Sequence, residues 1–276
     1  MIELHAHTTA SDGQYAPSEL VRRAHAAGVT TLAVTDHDTL AGLPEALETA
    51  RSLGGIAIVP GIEISTEING TDIHVLGHFV APDDPVLLRY AEHQGGERRR
   101  RMKRMVEKLR ALGYPVTLRH VEEVAGGENL CRPHLARALV SLGIVRDVQE
   151  AFRKLIGDDG PAFSPQERLP AKEAIALIHQ AGGTATLAHP GVDRIDRYQI
   201  GELAKEGLDG LEALHADHVP SQREKYLKIA RELDLVPTAG SDFHGEAVAP
   251  DHTLGMVQLS PEQFDALRER RGGRRP

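Results

Sequence analysis

Tryptophan is absent, cysteine occurs once and aromatic residues make up 4% of the 276 residues. A core without large rings must be filled by Leu, Ile, Val and Ala. The lone Cys131 excludes an internal disulfide framework and fits a reducing compartment. No apolar run approaches the ~20 residues that span a bilayer. The N-terminus, Met1-Ile2-Glu3-Leu4-His5, has neither a basic n-region nor an apolar h-region, so a cytoplasmic protein without membrane attachment is expected. Rival catalytic signatures are missing too: there is no GxxxxGK[ST] phosphate loop, no GxSxG nucleophile elbow, and nothing around Cys131 that marks a nucleophile. A basic surplus is also lacking. The net charge of −8 argues against wholesale coating of nucleic acid, and no stable nucleic-acid complex is expected.

What is present is unevenly placed. Val86 to Pro165 carries a balance of +5, whereas the rest of the chain carries −13. Outside that stretch, short β-branched runs alternate with amphipathic patterns. Strands are expected at Ile2–Leu4, Thr31–Val34, Ile56–Val59, Ile73–Leu76, Thr184–Leu187, Leu208–Leu211, Leu235–Thr238 and Met256–Leu259. Helices are expected at Pro17–Ala27, Pro44–Leu53, Ala171–Ala181 and Ser221–Leu233, with Gly following several of them. Strand alternating with helix implies βα units and a parallel sheet. About eight strands point to a closed or nearly closed barrel, with a doubly wound sheet as the rival. The middle reads as helices only: Glu97–Leu112, Leu118–Val124, Pro133–Leu142 and Val148–Leu155. We therefore expect residues 1–85 and 166–276 to form an α/β barrel and residues 86–165 an all-helical insertion. The tail, Arg270–Pro276, reads as disordered.

Fifteen histidines stand out, and their positions matter more than their number. At or beyond successive strand ends lie His5, His7 and Asp12, then Asp36-His37-Asp38, then Glu63. His74 follows within the next strand, and then come His189, Glu212 with His215, and Asp242 with His244. That face is where parallel α/β barrels build active sites. Imidazole and carboxylate hold Mn²⁺, Zn²⁺ or Fe²⁺ without thiolate. His5 and His7, at i and i+2, point the same way and can grip one ion. Nine ligands would over-supply one ion, so two or three are expected. Clustered ions suit displacement at phosphorus by metal-activated water. Taken singly, each residue has a plainer reading: a turn at Asp36–Asp38, a rim salt bridge at Glu63, an ordinary loop at His189-Pro190. His25, His93, His120 and His179 fall in helical patterns and read as solvated, His78 as a satisfied core residue, and His218 and His252 as loop residues without partners. His215 stands between support and bystander.

The motifs His5-Ala6-His7, Asp12-Gly13, Thr35-Asp36-His37-Asp38, Pro60-Gly61-Ile62-Glu63, Ile73-His74-Val75-Leu76-Gly77, Ala188-His189-Pro190 and Ser241-Asp242-Phe243-His244 appear in order. Together they resemble the PHP (polymerase and histidinol phosphatase) family of metal-dependent phosphoesterases. The resemblance implies a distorted (β/α)7 TIM-like barrel, the PHP fold, holding a trinuclear centre. By that similarity His5, His7, Glu63 and Asp242 hold one ion, Glu63, His74 and His189 a second, and Asp12, His37 and His244 a third. The chain looks like stand-alone members with a helical insertion, which act as 3′,5′-nucleoside bisphosphate phosphatases, AMP phosphatases or 5′-to-3′ exoribonucleases on short RNA. The expected partner is then a small phosphorylated substrate. Arg132-Pro133-His134 matches a position where such members meet substrate phosphate, in keeping with bidentate Arg and the anion preference of a helix N-terminus. The run Arg98-Arg99-Arg100-Arg101-Met102-Lys103-Arg104 spreads around a helix and reads as a solvated face that steers anions. Histidinol-phosphate phosphatase and a non-catalytic metal-binding module are the alternatives.

Overall fold

The computed structural model describes residues 1–127 and 129–271. Of the tail read as disordered, residues 272–276 lie outside the described residues, while Arg270 and Arg271 donate to the carbonyls of Asp234 and Gly182.

Eight strands appear in chain order: β1 (Ile2–Glu3), β2 (Thr31–Val34), β3 (Ala57–Ile68), β4 (Thr71–His78), β5 (Leu169–Pro170), β6 (Thr184–Leu187), β7 (Gly210–His215) and β8 (Val236–Gly240). Seven of them form one sheet in the order β1-β2-β3-β4-β6-β7-β8, and β5 adds a short parallel rung to β3. Past their ends, Ala6 and Phe243 bridge in parallel, bringing the first strand against the last and closing the sheet into a barrel. The seam between β1 and β8 is thin, and the buried Glu3 carboxylate reinforces it by accepting from the amides of His5, Ser241 and Gly255.

One strand breaks the parallel rule. β4 runs antiparallel to both β3 and β6, joined to β3 by the tight turn Asn69-Gly70, where both residues have positive φ. This reversal explains why His74 sits early in its strand. Glu63 also lies inside its strand, because β3 runs on to Ile68 in its pairing with β4, and Glu212 and His215 lie within β7. The early part of β4 lies at the end where the parallel strands finish.

Helices α1 (Pro17–Ala26), α2 (Leu43–Leu53), α7 (Ala171–Gln180), α8 (Arg197–Lys205) and α9 (Pro220–Glu232) share one buried cluster with the barrel wall, including Leu20, Leu43, Ile62, Ile175 and Leu211. Between β4 and β5 the described chain is helical only: α3 (Pro85–Ala111), α4 (Leu118–Ala125), α5 (Arg132–Ser141), α6 (Val148–Ala151) and a π-helical turn, Phe152–Ile156. These pack around their own cluster, with Met105, Leu109, Val121, Leu135 and Ile156 among its members. Helix α3 starts twelve residues earlier than expected. The Asp84 side chain accepts from the amides of Val86 and Leu87, Pro85 opens the helix, and the helix then runs through Gly95-Gly96. Each internal glycine costs roughly 1 kcal/mol relative to Ala, so the tertiary contacts of Leu87, Gln94 and Arg98 outweigh local propensity.

The strand expected at Met256–Leu259 is not one. Val257 and Leu259 alternate into a cluster with Leu4, Ala33, Val59, Val236 and Leu267, but the barrel is already closed and offers no ladder partner. Helix α10 (Pro261–Glu269) follows.

Candidate metal centre

The nine side chains singled out in the sequence lie in one place, and Glu63 is their hub. Its Oε2 is 3.3 Å from His5 Nε2, 3.1 Å from His7 Nε2 and 3.1 Å from His37 Nδ1. Its Oε1 is 3.1 Å from His74 Nδ1 and 3.2 Å from His189 Nε2. Five imidazole nitrogens thus surround one carboxylate that is 1% exposed. Asp242 Oδ1 faces His5 Nε2 and His7 Nε2, each at 3.2 Å. Asp12 Oδ1 is 3.3 Å from His244 Nε2, and its Oδ2 is 3.8 Å from His37 Nε2.

These atoms fall into overlapping groups able to hold a cation: His5, His7, Glu63 and Asp242; His7, Asp12, His37 and His244; and His37, Glu63 and His74. The first matches the set implied by the family resemblance. In the other two, His37 belongs to both groups, reaching Glu63 with one nitrogen and Asp12 with the other. His5 Nε2, His7 Nε2, His37 Nδ1, Asp12 Oδ1, Glu63 Oε2 and Asp242 Oδ1 are buried and make no hydrogen bond. Buried polar atoms are rarely left so, and half a dozen converging on one another is the donor set a divalent cation satisfies.

Four of the imidazoles have their outward nitrogen occupied. His5 Nδ1 donates to Glu212 at 3.0 Å, His189 Nδ1 to Asp193 at 3.0 Å and His244 Nδ1 to the Asp242 carbonyl at 2.9 Å. His7 Nδ1 lies 3.3 Å from Ser11 Oγ, which donates to Asp36 at 2.6 Å. Such partners fix the tautomer so that the other nitrogen presents its lone pair inward. Asp36 also accepts from the Thr8 amide and hydroxyl, pinning the loop between His7 and Asp12. His189 and Asp242 hold left-handed backbone at φ 24° and 52°, strain that the surrounding hydrogen bonds must sustain.

Burial opposes every charge here, yet the groups outweigh it for one another. The His37, His74 and His5 imidazoles hold Glu63 well below the usual carboxylate range, His37 and His244 do so for Asp12, and His5 and His244 for Asp242. Glu212 is brought down to about 2, chiefly by His5. In turn Glu212, Asp242 and Glu63 raise His5 well above its ordinary value, and His7 rises to about 10 through Asp242 and Glu63. His37, where burial dominates, falls to about 3. Without a metal, His5 and His7 thus hold protons where a cation would sit, whereas His37 does not.

Several histidines behave differently from expectation. His179 is not solvated but pairs with Asp209 at 3.0 Å. His218 bonds the Ala213 carbonyl and accepts from the Gly191 amide, and His252 joins the Asp242 carbonyl to Asp217. His78 is a core residue as expected but only half satisfied: its Nε2 bonds the Leu4 carbonyl, while its Nδ1 is buried without a hydrogen-bond partner. His215 is buried, with Nε2 3.8 Å from Asp242 Oδ2. Glu212, Asp193, Ser11 and Asp36 support the centre; Asp36 and Glu212 read from sequence as strand-end carboxylates, whereas Asp193 and Ser11 are not singled out there. The arginine run is not a uniformly solvated face either: Arg98 and Arg101 are buried, while Arg99 and Arg100 are exposed and paired with Glu122 and Glu97.

The PHP domain family matches residues 3–219. The chain belongs to that family. It is 37% identical over 246 residues to a 5′-3′ exoribonuclease of Haemophilus influenzae, covering 88% of this chain and 89% of the relative. It is 31% identical over 256 residues to a 3′,5′-nucleoside bisphosphate phosphatase of Chromobacterium violaceum, covering 88% and 87%. A solved Bifidobacterium adolescentis structure, assigned as a metal-dependent phosphoesterase, superposes with a TM-score of 0.90 at 32% identity over 97% of this chain and 95% of that one. The PHP chain is accordingly a metal-dependent hydrolase of phosphoester bonds with a distorted barrel. No helix among the described residues is long and apolar enough to cross a membrane.

Proposed function

We propose that this PHP protein hydrolyses phosphate esters of nucleotides, either a 3′,5′-nucleoside bisphosphate or AMP, or the 5′ end of short RNA. Three divalent ions would be held by His5, His7, Asp12, His37, Glu63, His74, His189, Asp242 and His244. The observation that carries this reading is the buried Glu63 carboxylate ringed by five imidazole nitrogens, an arrangement that protons alone satisfy poorly. When bound, clustered divalent ions activate water and neutralise charge on phosphoryl oxygens. Mn²⁺, Zn²⁺ and Fe²⁺ all suit these ligands.

The chain's own residues do the rest. The helical segment 86–165 caps the site and reads the substrate. Within it His134 accepts from the Cys131 amide through Nδ1 at 3.1 Å, which puts the proton on Nε2; that atom is buried and unpartnered. Burial lowers the His134 pKa to about 4, so it stays a neutral donor across the physiological range and serves to orient a phosphoryl oxygen. Arg132 opens the same helix, pairs with Asp158 at 2.6 Å and lies over the rings of Phe152 and Phe163. Burial and the nearby Arg132 and Arg168 depress the pKa of Arg101 to about 9. Gathered cations beside aromatic faces favour an anionic, ring-bearing substrate.

The test is phosphate release from a 3′,5′-bisphosphate, AMP, histidinol phosphate and 5′-phosphorylated short RNA, each with metal-loaded protein of measured metal content. One or more nucleotide substrates should be strongly preferred. Equal slow turnover of all four would refute the substrate assignment, and preference for histidinol phosphate would favour that alternative.

A further inference from the structure

The His37 corner of the centre is held in an unusual way. Its backbone keeps one strand-like bridge to Glu63, with the Asp38 amide donating to the Glu63 carbonyl at 2.9 Å. The chain then turns away at Asp38, whose φ of 51° is left-handed. A non-glycine residue stays in that region when its surroundings over-determine it. Here the carboxylate does so, accepting from the Ser65 amide at 2.8 Å, the Tyr90 hydroxyl at 2.7 Å and the Arg98 guanidinium at 3.0 and 2.5 Å. Tyr90 and Arg98 both stand on helix α3, outside the barrel. Asn129, also outside the barrel, donates to the His37 carbonyl at 2.6 Å.

Arg98 reaches further. It donates to Ser65 Oγ on β3 at 2.9 Å and to Cys131 Sγ, at the start of α5, at 3.1 Å. Four of its five N–H donors are thus spent on protein, and the side chain is buried, which leaves little of it to grip a substrate. We propose that Arg98 is a positioning residue for the metal centre: it clamps Asp38, and through it the His37 imidazole between Glu63 and Asp12, so that docking of the helical segment on the barrel completes one cation site. This rests on the metal-centre reading above. The barrel supplies the His5, His7 and Asp242 corner by itself, whereas the His37 corner is set by residues from the inserted helices.

The experiment compares Mn²⁺ binding per chain, by chelator competition and metal analysis, for the full-length protein and its Arg98→Met, Arg98→Lys and Tyr90→Phe forms. The Arg98→Met form should lose one bound equivalent, or bind it at least tenfold more weakly, while the remaining equivalents keep their affinity. Lysine is a point charge that cannot span Asp38, Ser65 and Cys131 together, so it should restore only part. Tyr90→Phe should weaken the same equivalent by a few-fold. If the Met form fails to fold, the Lys and Phe forms carry the same comparison. Unchanged Mn²⁺ binding in these variants, with a raised KM for substrate instead, would overturn the proposal and make Arg98 a substrate-binding group. Wild-type protein that binds no divalent ion at all would overturn the metal-centre reading itself.

Discussion

Replacing Glu212 with glutamine removes one charge from beneath the metal centre with little change of shape. The Glu212 carboxylate is fully buried on β7, receives His5 Nδ1 at 3.0 Å and the His189 amide at 2.8 Å, and titrates at about 2 instead of 4.5. A shift of that size corresponds to about 3 kcal/mol between its two protonation states. Because the folded-state pKa is depressed, this contribution is present above about pH 4.5 and is lost as the pH falls towards 2. Glutamine can still accept from the His189 amide. It cannot supply the charge that keeps His5 oriented and basic. Loss of such a supporting group costs about 10–100-fold in metal affinity. Chelator competition near neutral pH measures this directly, with circular dichroism to show that the fold persists. Affinity within twofold of wild type would refute the claim that Glu212 tunes His5.

Other consequences follow from the same geometry. A Cβ at Gly240 would lie 2.3 Å from His5 Cβ and 2.4 Å from Glu212 Oε1, so Gly240→Ala should destabilise by about 1–3 kcal/mol in thermal unfolding and weaken metal binding; a neutral effect would contradict the tight approach. His7 titrates at about 10 without metal, so its stabilising contribution is full below pH 6.5 and is lost as the pH rises towards 10. Metal must displace that proton, so the gap in melting temperature between loaded and stripped protein should widen over the same range; a gap that narrows with pH would argue against His7 as a ligand. Arg132→Ala should raise KM by about 10–100-fold with metal content unchanged, the scale of a charge-assisted hydrogen bond to phosphate. Asp12→Ala and His189→Ala should abolish turnover while leaving secondary structure intact, and retained activity would contradict their roles.

Much of the site was legible because barrel chemistry sits at strand ends. His5, His7, Glu63 and Asp242 follow short β-branched runs that read clearly as strands, and their convergence needed only parallel topology. His74 fitted less neatly, since nothing local announces that β4 runs antiparallel. The supporting residues were harder to see. Glu212 and Asp193 matter through the nitrogen they receive, and those contacts depend on how β7 and the loop before α8 come to rest against His5 and His189. Arg98 was hidden for a related reason. In a run of basic residues nothing distinguishes the position that turns inward, and Asp38, which pairs with it, lies sixty residues away. At Met256–Leu259 the alternation was real but reported burial of Val257 and Leu259, not strand pairing.

Anomalous diffraction from crystals of Mn²⁺-loaded protein tests the central claim most directly. Three peaks should appear around Glu63: one between His5, His7 and Asp242, one beside His74 and His189, and one beside Asp12, His37 and His244. A map with no peak among these side chains would contradict the account.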